Sequence, residues 1–293
     1  MSVTTKNRKQ VRNARYYDIP DCGTLPSVTT ILSCIAKPAL VNWAAKVERE
    51  MILKVSADLY EDVSKTPKMS RAGWLLTMSN RLGTEKAHDK ERTKAGDIGS
   101  QVHALIEWTL KGELCYEAGP SPRITDKAQW AFMAWEDWRK SVSLRPLAVE
   151  QVVWSRTFGY AGTLDLLAEV EGVLTVIDWK TGKAVYGEAH LQNAAYRKAV
   201  REMGHGDPKQ GLILRLPKVE SDPNFEPVVA KSEDAMFPRF MDAFRLWKWC
   251  QEVEAEYLAS KEKPATGTPE DKLEETLRAS LGERNDAEGI QTR

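Results

Sequence analysis

The residues of this 293-residue chain best suited to chemistry are three charged side chains in an apolar stretch, GTLDLLAEVEGVLTVIDWKTGK, residues 162–183. Glu171 and Gly172 are typical of a two-residue hairpin turn between two strands. A turn there pairs Asp165 with Asp178 across the hairpin. Strand alternation then puts Lys180, two residues beyond Asp178, on the same face. The spacing therefore predicts two carboxylates and one ammonium group at a single place.

Two carboxylates so placed need a positive partner. Residues directly opposite each other in antiparallel strands have Cβ atoms roughly 4.5–5.5 Å apart, and like charges there destabilise the sheet. Carboxylate oxygens bind Mg²⁺ or Mn²⁺, and an ammonium group can steady a water molecule or a developing negative charge. An Asp-Lys cluster at the exposed edge of a sheet is the alternative, because such clusters are common and contribute little to stability. The hairpin alone leaves both interpretations open.

Further motifs surround the hairpin. Gly162–Asp165, Ile177–Gly182 and Gln192–Tyr196 resemble, in order and spacing, the motifs of the PD-(D/E)XK nuclease superfamily, specifically its RecB-like branch. The segment GDIGSQVHALIEW, residues 96–108, is similar to the upstream histidine element of that branch. The superfamily name expects proline where this chain has Leu164, a departure that the RecB-like branch tolerates.

The resemblance implies a role for each matching residue. Asp165 and Asp178 would bind a metal ion, and the backbone carbonyl of Trp179 would complete its shell. Lys180 would orient or activate the attacking water. His103 would add a nitrogen ligand.

Five polar residues are candidates for contacts with DNA. Gln192 and Tyr196 are four residues apart on a predicted helix and so share one face, from which the resemblance implies contacts to nucleic acid or to Lys180. Thr181 could donate a hydrogen bond to a phosphate. Ser27 and Thr29 could contact phosphates from a helix N-terminus, or serve only as caps.

Three residues near these motifs can also be interpreted as structural rather than functional. A lone histidine on an amphipathic helix, such as His103, is more often packed or solvated than a ligand unless other motifs accompany it. Glu107, one turn further along, could reach the same metal ion or only hydrogen-bond around it. Glu150 could be a further acidic ligand, but solitary glutamates are common on strand surfaces. We therefore leave Glu107 and Glu150 out of the predicted site.

Composition limits the function classes. Lys and Arg (42) balance Asp and Glu (42), so there is no global positive field and a nucleic-acid partner must be held by local charge or metal. Candidate backbone contacts are Lys6, Arg8, Lys9, Arg12 and Arg15 in the first twenty residues, and Arg71, Arg81, Lys86, Lys90, Arg92 and Lys94 further on. The four cysteines are scattered, which suggests neither a zinc site nor a disulfide framework. Relatives in the RecB-like branch that hold an iron–sulfur cluster have three clustered downstream cysteines, whereas only Cys250 lies downstream here, so we expect no such cluster.

No apolar run is long enough to span a bilayer, and the first twenty residues lack the apolar core of a secretory signal. We therefore expect a cytoplasmic protein, in the host cytoplasm if it is phage-encoded, with no membrane partner.

Periodicity divides the chain into parts. Helical spacing dominates up to about residue 145, and from Leu147 the period changes to two. We predict an α/β, restriction-endonuclease-like fold with a mixed central sheet flanked by helices and a helical N-terminal subdomain. The expected parts are a basic arm (1–20), a mainly helical subdomain that supplies the His103 helix (21–145), the nuclease core with a C-terminal helix (146–260) and a charged, mobile tail (261–293).

Two N-terminal segments, LPSVTTIL and KPALVNWAAK, are similar to phage-encoded exonucleases related to the mitochondrial genome maintenance exonuclease. The resemblance implies a Mg²⁺- or Mn²⁺-dependent DNA exonuclease, acting on ends or single strands in recombination, replication or repair. A single-strand annealing or recombinase protein would be a partner. Alternatives are a structure-specific or nicking endonuclease, a non-catalytic nucleic-acid-binding protein, and a protein in which the hairpin cluster is coincidental.

Overall fold

The computed structural model describes residues 8–11, 14–64, 69–117, 119–219, 221–222 and 224–262. Its contacts divide the chain into two compact units, residues 1–247 and 248–293, and every residue of the predicted site belongs to the first. Lys6, Arg12 and the predicted tail beyond residue 262 lie outside the described residues. No described helix is long and apolar enough to cross a membrane.

The described elements follow one another along the chain as strands, then helices, then a second group of strands with an intervening helix. They are β1 (Arg8–Val11), β2 (Ala14–Ile19), β3 (Gly23–Pro26), α1 (Val28–Leu32), α2 (Pro38–Ser64), α3 (Arg71–Leu82), α4 (Ala87–Glu113), α5 (Asp126–Lys140), β4 (Leu144–Ser155), β5 (Tyr160–Val170), β6 (Val173–Lys180), α6 (Gly187–Glu202), β7 (Gln210–Arg215), β8 (Glu226–Val229) and α7 (Glu233–Glu262).

A five-stranded mixed sheet of order β4-β5-β6-β7-β8 forms the centre of the first unit. Strands β4, β5 and β6 are antiparallel neighbours, whereas β6 and β7 are parallel and are joined through α6. A parallel pair needs such a crossover because its strands run in the same direction. This mixed sheet with flanking helices confirms the predicted restriction-endonuclease-like α/β fold.

Two apolar cores enclose the sheet. Successive residues of β6 enter different cores: Ile177 packs with α4 and α5, and Val176 packs with α1, α6 and the first part of α7. In the first core the Trp179 ring meets Trp135 and Trp138 edge-on, with ring centroids 6.4 and 5.9 Å away. The sheet is buried on both sides, so the hairpin is held rigidly.

The hairpin turn is the one that the sequence predicted. Glu171 and Gly172 both have positive φ, 49° and 76°, as a type I′ turn requires. The β5–β6 ladder runs in the predicted register from Val170–Val173 to Leu166–Ile177. The predicted cap is also present, since the Ser27 hydroxyl accepts a hydrogen bond from the Thr30 N–H at 3.0 Å.

The N-terminal part contains strands that we did not predict. The described residues of the expected basic arm form β1 and β2, and β2 also pairs with β3 in a three-stranded antiparallel sheet of order β1-β2-β3. Tyr17 of β2 packs against Val152 and Ala161 of the central sheet, and its hydroxyl lies 2.9 Å from that of Thr163. This small sheet is therefore joined to β4 and β5 beside the hairpin.

The amphipathic pattern of α5 predicts that Trp130, Trp135 and Trp138 all lie in the core, and this is wrong for one of them. Trp135 and Trp138 are buried, but Trp130 is 39% exposed. Helical spacing identifies which face of α5 is buried but not how wide the buried face is. Trp130 lies at the edge of this face and stays partly exposed.

Glycines allow α6 to approach the sheet closely. A Cβ atom at Gly162 would lie 2.6 Å from Cε1 of the buried Tyr196 ring. At Gly211 it would lie 1.8 Å from the side-chain oxygen of Asn193, whose Nδ2 donates to the Val176 carbonyl at 3.0 Å. The glycine of the G-x-x-D motif thus makes room for the tyrosine of the following helix.

We expect Gly162→Ala to lower the free energy of unfolding by about 1–3 kcal/mol, because the added methyl group overpacks a rigid contact with Tyr196. The matched control is Gly112→Ala in α4, where nothing lies within 4 Å of an added Cβ. Alanine there should be neutral or should stabilise by up to about 1 kcal/mol. Urea denaturation measures both variants, and equal stabilities would contradict this account of Gly162.

Candidate active site

A cavity of about 570 Å³ opens at the end of the hairpin. Five of the titratable residues that line it come from α4, β4, β5 and β6: they are His103, Glu150, Asp165, Asp178 and Lys180. Four of these five belong to the site predicted from the sequence. The structure adds Glu150.

Asp165 is buried and has two different neighbours. Its Oδ2 accepts a hydrogen bond from the Trp179 N–H at 2.7 Å, and its Oδ1 lies 3.5 Å from Nδ1 of His103. The β5–β6 ladder ends one pair earlier, at Leu166–Ile177. The Asp165 side chain therefore binds a backbone N–H of the opposite strand directly beyond the end of the ladder.

Asp178 and Lys180 form an ion pair in which the aspartate is buried and the lysine is partly exposed. The Asp178 side chain is 1% exposed, and its Oδ2 lies 2.6 Å from Nζ of Lys180. This contact is an ion pair rather than an aligned hydrogen bond, and Oδ2 has no hydrogen-bond donor among the described residues. The oxygen keeps lone pairs that a cation could use.

A chain of hydrogen bonds from α6 fixes Lys180. Its Nζ donates to Oε1 of Gln192 at 3.1 Å, and Nε2 of Gln192 donates to the Tyr196 hydroxyl at 3.2 Å. Gln192 and Tyr196 also line the cavity. Their shared helix face thus points at the hairpin, as their spacing predicted.

Glu150 is the residue that sequence reasoning set aside. One ligand atom from each of His103, Glu150 and Asp165 can be chosen so that all three lie within 4.8 Å of one another. Glu150 has a φ of +48°, which is rare for a residue other than glycine and recurs at functional sites. Its neighbours pair as Val149–Leu166 and Gln151–Leu164, so Glu150 lies opposite Asp165. An acidic residue within the apolar β4 segment was the available signal, but it became informative only with the β4–β5 register.

The carboxylates raise one another's proton affinity. Burial and the charge of Asp165 raise the pKa of Glu150 to about 8, against the opposing effect of His103. Burial also raises the pKa of Asp178 to about 6, although Lys180 acts in the other direction. At neutral pH Glu150 is therefore mostly protonated and does not add a third negative charge beside Asp165 and Asp178.

The basic groups respond to the same charges. Burial disfavours the imidazolium of His103, but Asp165 outweighs it and raises the His103 pKa to about 9. The pKa of Lys180 is also raised, because Asp178 and Asp165 outweigh burial. For Asp165 itself burial is overcome by His103, Lys180 and the Trp179 N–H, and its pKa is lowered.

This donor set fits a hard divalent cation. Carboxylate oxygens and one imidazole nitrogen converge, and the orphaned Oδ2 of Asp178 lies in the same cavity. Such a cation would relieve the repulsion between the buried carboxylates. Glu107 also lines the cavity, but its Oε1 lies 2.5 Å from Nζ of Lys111.

The remaining predicted residues are placed differently. Thr29, Thr181 and Ser27 line the cavity, although Ser27 is buried and its hydroxyl caps α1. The Trp179 ring packs in the core, and its N–H reaches Asp165. Contacts of these residues with DNA, and the metal role of the Trp179 carbonyl, stay predictions.

The N-terminal sheet adds positive charge to the cavity. Arg8 and Arg15 line the cavity beside the acidic cluster. Several other candidate cations form ion pairs with acidic residues. These pairs are Lys9–Asp18, Arg81–Asp62, Lys90–Glu85, Arg92–Asp89 and Lys94–Glu91.

Comparison with known proteins gives a family. The sequence profile of the PD-(D/E)XK nuclease superfamily matches residues 70–270. No curated protein matches the chain. Among solved structures the chain is similar to an alkaline exonuclease from Laribacter hongkongensis, at 13% identity and a TM-score of 0.34, over 61% of this chain and 88% of that one. That structural likeness is too low to carry an argument about activity. The profile match, which covers more than half of the chain and spans His103, Asp165, Asp178 and Lys180, shows that this protein belongs to the PD-(D/E)XK nuclease superfamily.

Proposed function

We propose that this protein is a metal-dependent DNA exonuclease of the RecB-like branch. The observation that carries the proposal is the convergence of His103, Asp165, Asp178 and Lys180 on one cavity in a chain of this superfamily. Asp165, Asp178 and Lys180 are all present. A binding protein that had lost catalysis would be expected to lack one of them.

His103, Asp165 and Asp178 would hold the cation, with the Trp179 carbonyl, and Glu150 lies where it could join them. Mg²⁺ and Mn²⁺ both suit this set of donors. When bound, such an ion polarises the scissile phosphate and lowers the pKa of a bound water.

Lys180 would orient the attacking water. Asp178 and Gln192 hold its ammonium group, and its raised pKa keeps it protonated at neutral pH. A protonated lysine donates hydrogen bonds and stabilises negative charge, but it cannot take a proton. Lys180 therefore acts as a positioning cation for in-line attack on phosphorus rather than as the general base.

The N-terminal segments support an exonuclease. LPSVTTIL includes α1, and KPALVNWAAK begins one residue before α2. Thr29 in the first segment lines the cavity, and Arg8 and Arg15 lie close enough to line it too. We assign to these residues the contacts with the DNA backbone. Phage origin, a role in recombination, replication or repair, and an annealing or recombinase partner belong to the same proposal.

We expect Asp178→Ala and Lys180→Ala each to reduce DNA hydrolysis on the order of 10²–10³-fold, because the first removes a ligand of the cation and the second removes a positive charge at the reacting phosphate. The assay uses end-labelled linear and circular DNA, single- and double-stranded, with Mg²⁺, Mn²⁺ or EDTA. Asp137→Ala and Lys140→Ala are matched controls, since this pair is exposed on α5 with 3.8 Å between its charged atoms.

The pattern of products decides between the candidate activities. Metal-dependent loss of linear but not circular DNA, removed by both site substitutions and by neither control, supports the exonuclease. Cleaved circles would show an endonuclease instead. Intact substrates under every condition would contradict a nuclease and favour a non-catalytic nucleic-acid-binding protein.

We expect Glu150→Gln to weaken the stabilisation that Mn²⁺ confers. At an ion concentration of about 100 times its Kd, binding adds about 2.7 kcal/mol to the free energy of unfolding. For a protein of this size that raises Tm by roughly 5–10 °C. In EDTA at neutral pH the substitution should leave Tm unchanged or raise it, because Glu150 with its raised pKa must take up a proton on folding and glutamine need not.

Calorimetric titration measures the affinity of each protein for Mn²⁺, and thermal unfolding measures the rise in Tm that Mn²⁺ causes. Glu169→Gln is the control, since Glu169 lies on the same strand pair and binds Arg145 at the surface. A Glu150→Gln protein with the same Mn²⁺-induced rise in Tm as Glu169→Gln would exclude Glu150 from metal binding.

A further inference from the structure

A second cavity opens beside the proposed active site and has an apolar lining. It has a volume of about 720 Å³, within the range of roughly 300–1,000 Å³ typical of sites for small organic molecules. One wall runs from α1 to the start of α2, and the other leads into α6. The apolar groups on these walls are Leu32, Ile35, Leu40, Ala184, Tyr186 and Ala189. We call this cavity the apolar cleft.

The apolar cleft is continuous with the charged cavity. Thr29, Lys180 and Gln192 line both. Lys180 is the residue that the proposed function places at the scissile phosphate. A DNA strand with a phosphate at Lys180 therefore has its adjoining nucleotide at the mouth of the apolar cleft.

The two cavities match the two parts of a nucleotide. The charged cavity offers Arg8, Arg15 and hydroxyl groups, which suit a phosphodiester backbone. The cleft offers aliphatic side chains and the ring of Tyr186, which suit the faces of a base. Stacking of a base on an aromatic side chain contributes about 1–3 kcal/mol and tolerates any sequence.

The mouth of the apolar cleft is accessible to solvent, and an ion pair connects its two walls. Tyr186 is 59% exposed and Leu40 is 51% exposed, so both can receive a ligand without moving a packed core. Nζ of Lys37 lies 2.6 Å from Oε1 of Glu188. That ion pair links the residue before α2 to the first turn of α6 and so connects the two walls.

We propose that the apolar cleft binds the bases of unpaired nucleotides next to the scissile phosphate, with Tyr186 stacking on a base and Leu40 packing beside it. The proposal rests on the proposed nuclease function, because that function places the phosphate at Lys180. Bases in a duplex are paired and stacked within the helix and cannot enter a side cleft. The substrate is then a single-stranded end or one that frays on binding.

The first test measures affinity for a fluorescent single-stranded 12-mer and for a blunt hairpin duplex by anisotropy. Ca²⁺ replaces Mg²⁺, and gels confirm that the DNA stays intact. We expect Tyr186→Ala to weaken single-strand binding about 5-fold or more, and Leu40→Ala with Tyr186→Ala to weaken it further. Binding of the blunt duplex should change by less than about 2-fold, the range of an ordinary surface substitution.

Matched controls exist elsewhere on the chain. Tyr116 and Leu75 are each 52% exposed and line neither cavity. Tyr116→Ala and Leu75→Ala should bind both DNAs as the wild type does. If the Tyr186→Ala and Tyr116→Ala proteins bind single-stranded DNA with equal affinity, the proposal is overturned. It is also overturned if Tyr186→Ala weakens binding of the duplex as much as it weakens binding of the single strand.

A second test removes the base instead of the side chain. Oligonucleotides with abasic residues at the terminal positions keep every phosphate. The wild type should bind them more weakly than the intact oligonucleotide, whereas Tyr186→Ala should bind both alike, as a double-mutant cycle requires for a direct contact. Equal losses in the two proteins would overturn a contact between Tyr186 and a base.

DNA degradation by the wild type, measured in parallel with Mg²⁺, separates this inference from the proposed function. Base-dependent binding through Tyr186 without degradation would refute the nuclease and support the cleft. Degradation with base-independent binding would refute the cleft alone.

Discussion

Buried negative charge at the end of the β5–β6 hairpin is the constraint on which the rest of the structure depends. Asp165 and Asp178 leave water almost completely, and Glu150 adds a third carboxyl group beside them. Buried charges are tolerated only when they are paired and hydrogen-bonded. Lys180, the Trp179 N–H and His103 supply those partners. A cation bound there would replace the proton that Glu150 otherwise takes up, and this makes the cavity suited to a cation.

Each partner reaches the carboxylates because a separate element is anchored in a core. Helix α4 brings His103 and packs its apolar residues, such as Ile106, into the core that contains Trp179. Helix α6 brings Gln192 and buries Tyr196 in the core on the other side of the sheet. Its close approach depends on Gly162. The two packed cores thus hold the carboxyl groups and their partners in place against the repulsion between the carboxylates.

One of the two adjoining cavities is charged and the other is apolar, and this difference suits the proposed substrate. Charged and hydroxyl groups surround the acidic cluster, and aliphatic and aromatic groups line the cleft beyond Lys180. A nucleic acid strand has the same division between backbone and bases. The N-terminal sheet contributes to the first cavity through Arg15, and the segment from α1 to α2 contributes to the second through Leu40. Under the proposed function, the parts of the chain before α4 would act on substrate recognition, whereas the hairpin would carry the chemistry.

Local sequence was sufficient for the hairpin. Glu171 and Gly172 form a turn that needs two residues of positive φ, and that turn, with the two-residue period of the strands, sets the register of Asp165, Asp178 and Lys180. Turn and strand preferences depend on residues that are close together in the chain, so they can be recognised from the sequence alone. The tertiary structure decided the rest. Glu150 joined the site because long-range pairing put it opposite Asp165 in a left-handed backbone conformation that strand alternation does not anticipate. The apolar cleft brings Leu40 and Tyr186 together across almost 150 residues of chain, because packing of whole helices against the sheet, which no local pattern records, determines that contact.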